Sequence, residues 1–328
     1  MSKKIWVIVE SKEGKAHPVS WELLGKAREL AGPEDELGAV VVGYKIDSVA
    51  QEALEYGATR VYVLDAPVFA YYRNLPFREA IVQLAKKYTP DIILLGATTL
   101  GRDLGSAVAT SLETGLTADA TELALDEKGH LLATRPAFGG NIMATISWPE
   151  HKPQMSTVRP RVFPLPQKVA TPQGEVIQEN IELKEEDIPV KRLEFIPKEK
   201  GVNLEYAEVI VAGGKGIAEK KDFELLFELA KLLGGEVGAS RAAVDAGFIG
   251  YEHQIGQTGK TVRPKVYLGF GISGAVQHRV GMQESDYIIA VNQDPLAQIF
   301  SIADLGLVGD LYQILPSLLK RIKELKES

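Results

Sequence analysis

Runs of consecutive apolar residues alternate, over most of this chain, with segments whose apolar residues recur at three- and four-residue spacing. In the first half, Ile5–Val9, Leu37–Gly43, Arg60–Leu64 and Asp91–Gly96 read as buried strands. Between them, residues 21–31 place Leu23, Leu24, Ala27 and Leu30 on one helical face. A second helix is predicted over 48–56, ended by Gly57, and a third over 77–88, closed by Pro90. Strands that read as unbroken apolar runs between helices predict a parallel sheet covered on both faces. After a helix predicted over 102–112, Leu131–Pro136 and Asn141–Trp148 alternate as antiparallel strands do. Residues 150–204 are rich in proline and charge and read as an irregular connector between domains.

A second alternating region opens with a strand over 207–212 and a helix over 221–233, stopped by Gly234-Gly235. Val266–Ile272 reads as a buried strand broken by Ser273-Gly274. Ala275–Gly281 then reads as a helix start and Tyr287–Asn292 as another buried strand. Near the end, Leu318, Leu319, Ile322 and Leu325 share a helical face, with Pro316 starting or kinking that helix. The whole predicts an α/β protein of two domains, residues 1–204 with the connector and residues 205–328. The second would be doubly wound.

Composition narrows the function. The 328 residues suffice for two cores, and 45% hydrophobic with 25% charged residues is ordinary globular usage. The net charge of −7, without a long basic block, disfavours nucleic-acid binding. No apolar run reaches membrane-spanning length, and the first strand starts too near Met1 to leave room for a targeting peptide. These features predict a cytoplasmic bacterial or archaeal protein with no integral membrane segment. With no cysteine there is no disulfide, thiolate nucleophile or iron–sulfur ligand set. The histidines lack paired metal-ligand spacing, and no nucleophile elbow accompanies a Ser/His/Asp order.

Candidate ligand contacts cluster where strands of the second domain end, as open parallel sheets favour. Gly213-Gly214-Lys215-Gly216 is too short for a phosphate-binding P-loop and lacks its Ser/Thr. Ser240-Arg241 reads, by itself, as a helix cap and a surface ion pair. Gln257 and Thr258 lie in a glycine-containing polar loop, and Gln277-His278 follow a strand-to-helix turn whose N–H groups and helix dipole suit an anion or electron-rich ring. Gly269-x-Gly271-x-x-Gly274 fits the dinucleotide fingerprint, with Asp294 about twenty residues on where a ribose-binding acid would stand. Yet these glycines straddle the end of a later strand, whereas the fingerprint occupies the first strand–helix turn of its domain. An NAD-dependent dehydrogenase therefore leaves Gln257-Thr258 and Gln277-His278 without a role. A non-redox nucleotide-binding or scaffold protein is a third reading.

The segment GISGAVQH (271–278) followed by IIAVN (288–292) resembles the FAD-binding signature of the electron-transfer flavoprotein alpha subunit. So do VGASRAAVDAGF (237–248), QIGQTGKTVRPKVY (254–267) and VNQDPLAQIFSIADLGLVGDL (291–311), in the family's order and at similar spacing. A fainter likeness covers the N-terminal half, including LGATTLGRDLG (95–105). The resemblance implies an N-terminal Rossmann-like, nucleotide-hydrolase-like domain that forms a platform for a partner, and a C-terminal FAD-binding domain. It implies that Ser240 contacts the FAD phosphates and Arg241 lies over the isoalloxazine ring. Ile255, Gly256, Gln257 and Thr258 would touch the cofactor, as would Ser273, Gly274, Ala275, Val276 and Gln277. His278 would sit at the pyrimidine end of the flavin, and Asn292, Asp310 and Leu311 would hold ribose and adenine. Lys215 stands where the family usually has arginine, keeping the charge but losing the planar fork. Arg102 and Asp103 are read as structural.

As implied by the resemblance, the protein is an electron carrier and not an enzyme. It would pair with an electron-transfer flavoprotein beta subunit as a heterodimer, that subunit holding AMP or a second FAD. Flavin dehydrogenases, such as acyl-CoA dehydrogenases of fatty acid oxidation, would deliver electrons and a quinone oxidoreductase or other oxidoreductase would collect them. An electron-bifurcating, NADH-dependent member of the family is the alternative.

Overall fold

A computed structural model describes residues 2–137, 142–181, 183, 185–194 and 202–327. The chain forms two compact units, Met1–Glu194 and Phe195–Ser328. The sequence reading put the division at 204/205. Leu204 explains the difference, because it is fully buried in the second unit's core beside Ile210 and Tyr267.

In the first unit the strands are β1 (Lys4–Val9), β2 (Glu36–Gly43), β3 (Arg60–Asp65), β4 (Ile92–Gly96) and β5 (Leu116–Ala120). They continue with β6 (Glu122–Leu125), β7 (Leu131–Ala137), β8 (Ile142–Ile146), β9 (Gln154–Val158) and β10 (Glu175–Gln178). The helices are α1 (Pro18–Leu30), α2 (Asp47–Glu55), α3 (Asn74–Tyr88) and α4 (Thr99–Ser111). A seven-stranded parallel sheet runs in the order β10-β3-β2-β1-β4-β9-β5. Alternate residues of its strands face opposite cores. Ile5, Val7, Ala39 and Val61 pack under α1 and α2, whereas Trp6, Val40 and Tyr62 pack under α3 and α4. That two-sided burial is why these strands read as unbroken apolar runs. A separate antiparallel sheet, β8-β7-β6, holds the alternating segments, although Asn141 lies outside the described residues. Arg102 pairs with Asp119 at 3.3 Å, and Asp103 accepts from the Tyr72 hydroxyl at 2.5 Å and the Asn74 amide at 2.8 Å.

The proposed connector needs correction. Within 150–204, β9 is fully buried in the sheet between β4 and β5, and β10 adds an edge strand beside β3. The sequence QMSTV concealed β9 because three of its five residues are polar. Each makes at least one hydrogen bond, although the Gln154 side-chain nitrogen makes none among the described residues. The Gln154 side-chain oxygen accepts from Leu131 N–H (2.8 Å), Ser156 donates to Thr117 O (3.2 Å), and the Thr157 hydroxyl accepts from Asp119 N–H (3.0 Å). Asp119 has φ of 62°, close to where the β9–β5 register shifts, so the Thr157 bond holds an irregular stretch of β5 in place.

The second unit is a five-stranded parallel sheet of β11 (Val209–Gly213), β12 (Glu236–Ala239), β13 (Val266–Phe270), β14 (Ile288–Asn292) and β15 (Leu305–Val308), ordered β12-β11-β13-β14-β15. Its helices are α5 (Phe223–Leu233), α6 (Arg241–Asp245), α7 (Val276–Arg279) and α8 (Leu311–Glu327). Helices α5 and α8 cover one face through Leu226, Leu229, Leu315 and Leu319. The other face is covered by Ile255, Val262, Met282 and Ile299 from short turns, not by long helices. Pro316 lies inside α8, past the first turn.

Thr157→Val removes a buried acceptor at nearly constant volume and leaves the Asp119 N–H unpaired, which costs about 1–3 kcal/mol. All three tryptophans, Trp6, Trp21 and Trp148, belong to the first unit. Urea unfolding of the full chain followed by tryptophan fluorescence should therefore show a lower midpoint. An unchanged midpoint would mean that the Thr157 bond carries no stability.

Candidate functional site

The order β12-β11-β13-β14-β15 reverses direction between β11 and β13. Open parallel sheets form a crevice at the carboxyl ends of strands where such a reversal occurs. Here the loops after β11 and β13 meet backbone to backbone. Gly214 N–H donates to Phe270 O (2.9 Å), and Gly216 N–H donates to Gly271 O (3.0 Å). A Cβ on Gly216 would stand 2.8 Å from the Gly271 Cα, and Gly271 has φ of +62°, so both positions need glycine. Gly271 thus packs against the neighbouring loop. That differs from the fingerprint role, in which a glycine lets backbone approach a pyrophosphate at the first turn.

Beside this seam lies a cleft of about 970 Å³, at the upper end of the size of cofactor sites. Lys215, Ser240, Arg241, Ile255, Gly256, Gln257, Thr258, Ser273, Ala275, Gln277, His278 and Asn292 all line it. Four proposed contacts do not. Gly274 is turned into the loop of Ile299, where a Cβ would meet the Ile299 nitrogen at 2.1 Å. Val276 is exposed, Leu311 is buried in the core under α8, and Asp310 accepts from Tyr312 N–H (2.9 Å) at the start of that helix. Asp310 therefore performs the capping that its local sequence suggests. Gly309, just before it, bonds Asn292 O at 3.0 Å.

One wall joins the 254–260 loop to α7. Gln257 N–H donates to Gln277 O (2.7 Å), and Gly281 packs on Gly256, where a Cβ would meet the Gly256 nitrogen at 2.5 Å. The Thr258 hydroxyl accepts from the Gln254 amide (3.0 Å), so its own proton remains to donate. Helix α7 is only Val276–Arg279, shorter than the predicted 275–281. A single turn supplies opening N–H groups but little of the macrodipole of a full helix.

The site's charges differ from the simplest expectation. Arg241 does face the cleft, but its Nε lies 3.3 Å from Asp245, which lines the same cleft. Ser240 caps α6 by accepting from Ala243 N–H (3.4 Å). The Lys215 ammonium lies 4.2 Å from the centre of the Phe248 ring. His278 is buried, with Nδ1 3.1 Å from Ile255 O and Nε2 2.7 Å from the Tyr267 hydroxyl. Burial pushes its pKa down from 6.5 to about 4, against the bond to Ile255 O, which raises it. At neutral pH His278 is uncharged.

Gly216, Ala242, Asp245, Gln254, Gly271, Ile272, Asp294 and Leu296–Gln298 also line the cleft and were not picked out as contacts. Gly216, Ala242, Gln254 and Ile272 are immediate neighbours of predicted contacts, which was the available signal for them; the other six are not. Asp294 was weighed only as a ribose ligand of the dinucleotide reading. Its carboxylate accepts from Leu296 N–H (2.9 Å), closing a local turn. Among the described residues, no group of three or more His, Cys, Asp or Glu could hold a metal ion, and no helix is long and apolar enough to cross a membrane.

Because the folded chain holds His278 neutral, the unfolded chain binds a proton that the folded one lacks between pH 6.5 and about 4. Stability from this group is therefore complete above pH 6.5 and is lost as pH falls toward 4, by on the order of 3 kcal/mol. Urea unfolding followed by far-UV circular dichroism at several pH values should show His278→Gln losing less stability on acidification than the parent. Parallel pH profiles would remove His278 from the acid sensitivity.

Two family descriptions match the chain, one in each unit. The electron transfer flavoprotein domain matches residues 5–183, and the electron transfer flavoprotein FAD-binding domain matches residues 203–283. The chain is 49% identical over 326 residues to the electron transfer flavoprotein subunit alpha of Thermoanaerobacterium thermosaccharolyticum, covering 99% of each chain. It is 49% identical to the same subunit of Megasphaera elsdenii, covering 99% of this chain and 97% of that one. It is 48% identical to protein FixB of Azorhizobium caulinodans, covering 96% and 87%. The chain belongs to the electron transfer flavoprotein alpha family, whose members carry electrons and are not enzymes, and its C-terminal unit is the family's FAD-binding domain.

Proposed function

We propose that the cleft at the β11/β13 reversal holds FAD, with Arg241, Gln257, Thr258 and His278 at the flavin ring. In this reading Ser240 and Lys215 face the phosphates, Ser273–Gln277 run beside them, and Asn292 lies toward the ribose. The observation that carries it is the convergence on one cleft of twelve of the sixteen residues implied by the resemblance, from five stretches of sequence. The donor set suits this cofactor. The Lys215 cation and two serine hydroxyls match phosphates, and Arg241 with the amides and a threonine hydroxyl match a ring edge that accepts and donates hydrogen bonds. The glycine seam brings backbone close to one side of the cleft without side-chain bulk.

When bound, FAD takes up and releases electrons on its ring. The protein's part is to hold the ring, limit water and set the local charge. Arg241 favours any flavin state with added negative charge, and Asp245 opposes it from 3.3 Å away. Thr258 offers a hydroxyl proton whose direction is fixed by the bond from Gln254. We assign the chain to a heterodimer with a beta subunit, in the cytoplasm of a bacterial or archaeal cell. Electrons would pass from flavin dehydrogenases, such as acyl-CoA dehydrogenases, to a quinone-linked or other oxidoreductase.

The test is spectroscopic and electrochemical. The purified full-length protein should be yellow and release FAD on denaturation; a colourless protein that binds NAD would sink the reading. Arg241→Ala should lower the first one-electron potential and Asp245→Asn should raise it. Each shift should be tens of millivolts, where roughly 60 mV corresponds to a tenfold change in a one-electron equilibrium. Shifts of equal sign, or none with FAD retained, would show that the ring lies elsewhere in the cleft.

A further inference from the structure

Tyr267 and His278 form a buried polar chain in an otherwise apolar core. Tyr267 is fully buried among Leu204, Ile210, Ile255 and Met282, and its hydroxyl lies 2.7 Å from His278 Nε2. On the other side of the ring, His278 Nδ1 lies 3.1 Å from the Ile255 carbonyl oxygen. A carbonyl can only accept, so Nδ1 carries the proton. The Tyr267 hydroxyl then donates to Nε2, and the imidazole is neutral. A cationic ring would need Tyr267 to accept instead, turning its own hydrogen into a site whose other neighbours here are apolar. An unmatched hydroxyl there would be costly. A phenylalanine would fill the same space without that requirement, so the hydroxyl's effect must come through the histidine.

The chain links three elements that meet at the cleft wall: β13 through Tyr267, α7 through His278, and the 254–260 loop through Ile255. The charged or titratable groups near His278 are accounted for. Lys215, Arg241, Asp245 and Asp294 line the cleft, Arg279 of α7 bonds Ser301 at 3.1 Å, and His253 bonds Val237 O at 2.6 Å. None of these bonds is made to the His278 ring.

We propose that Tyr267 is a positioning residue that keeps His278 a neutral imidazole by donating to Nε2, while the Ile255 carbonyl holds the ring proton on Nδ1 and ties the Ile255–Thr258 loop to α7. The histidine then faces the cofactor as a fixed, uncharged ring. Only the last arm of the test below rests on the cleft being the flavin site.

The experiment uses the full-length protein as purified, labelled with ¹⁵N-histidine, with His278→Gln identifying the signals. Imidazole nitrogen correlations from about pH 5 to about pH 8 should show one protonated and one unprotonated nitrogen on His278, unchanged throughout. A proton on Nε2, or a titration within that range, would overturn the proposal even if no variant folded. Tyr267→Phe should release the lock on charge, raising the His278 proton affinity about tenfold, one pKa unit, while the neutral ring keeps its proton on Nδ1. A phenylalanine variant whose His278 shows no added protonation toward about pH 5 would also overturn it; a purely structural role would move only the melting temperature. With FAD bound, the variant's first one-electron potential should become more positive relative to the parent as pH falls. A parent protein without FAD would defeat the functional reading while leaving the nitrogen signals to decide on Tyr267.

Discussion

The second unit depends on one close contact, the meeting of the loops after β11 and β13. Sheets whose strand order reverses leave a gap at that point, and the gap becomes a usable cleft only if its floor is closed. Here two glycine-bearing loops close it by direct backbone contact, with the Gly216 N–H on the Gly271 carbonyl. A side chain on either residue would push the strands' ends apart and shift both walls. The other wall repeats the device, with Gly256 on Gly281 and Gln257 bonded to Gln277. The cleft is therefore framed by backbone, and side chains only tune it.

That division explains the balance of charges. In the proposed placement of the flavin, a ring that gains and loses electrons needs an environment that favours neither state too strongly, or it becomes a sink instead of a carrier. Arg241 is exposed and shares its charge with Asp245, while His278 is buried and neutral. An exposed cation is screened by water and salt, so its influence is moderate. A buried imidazolium would act strongly, but the core around Tyr267 disfavours it.

Much of the fold was legible because burial on both faces writes strands as unbroken apolar runs. β1, β2, β4 and β13 could be read within a residue or two for that reason. β9 could not, since its polar residues are matched by partners distant in sequence: Leu131, Thr117 and Asp119. Periodicity registers side-chain polarity but not whether that polarity is satisfied. The short helix α7 was overestimated because the turns after Arg279 continue its local hydrogen bonding without extending the helix, as Met282 N–H still bonds Arg279 O. For the cleft, motif blocks located residues in sequence, and strand ends brought them together in space. Asp310 and Leu311 fell outside because the same signals that mark a ligand contact also mark a helix cap and a core leucine.

Tyr267 shows the limit of reading a motif residue by residue. As sequence it is one apolar-compatible position in a strand, and nothing in its neighbours sets it apart from phenylalanine. Its hydroxyl acquires meaning only when β13, α7 and the 254–260 loop are assembled, because the acceptor it serves lies eleven residues away and that acceptor's other bond lies twenty-three residues in the opposite direction. The charge of His278 is thus decided by two atoms outside the segment 271–278 that contains the histidine. A motif can nominate which side chain meets a ligand, but the protonation state it brings is a property of the fold.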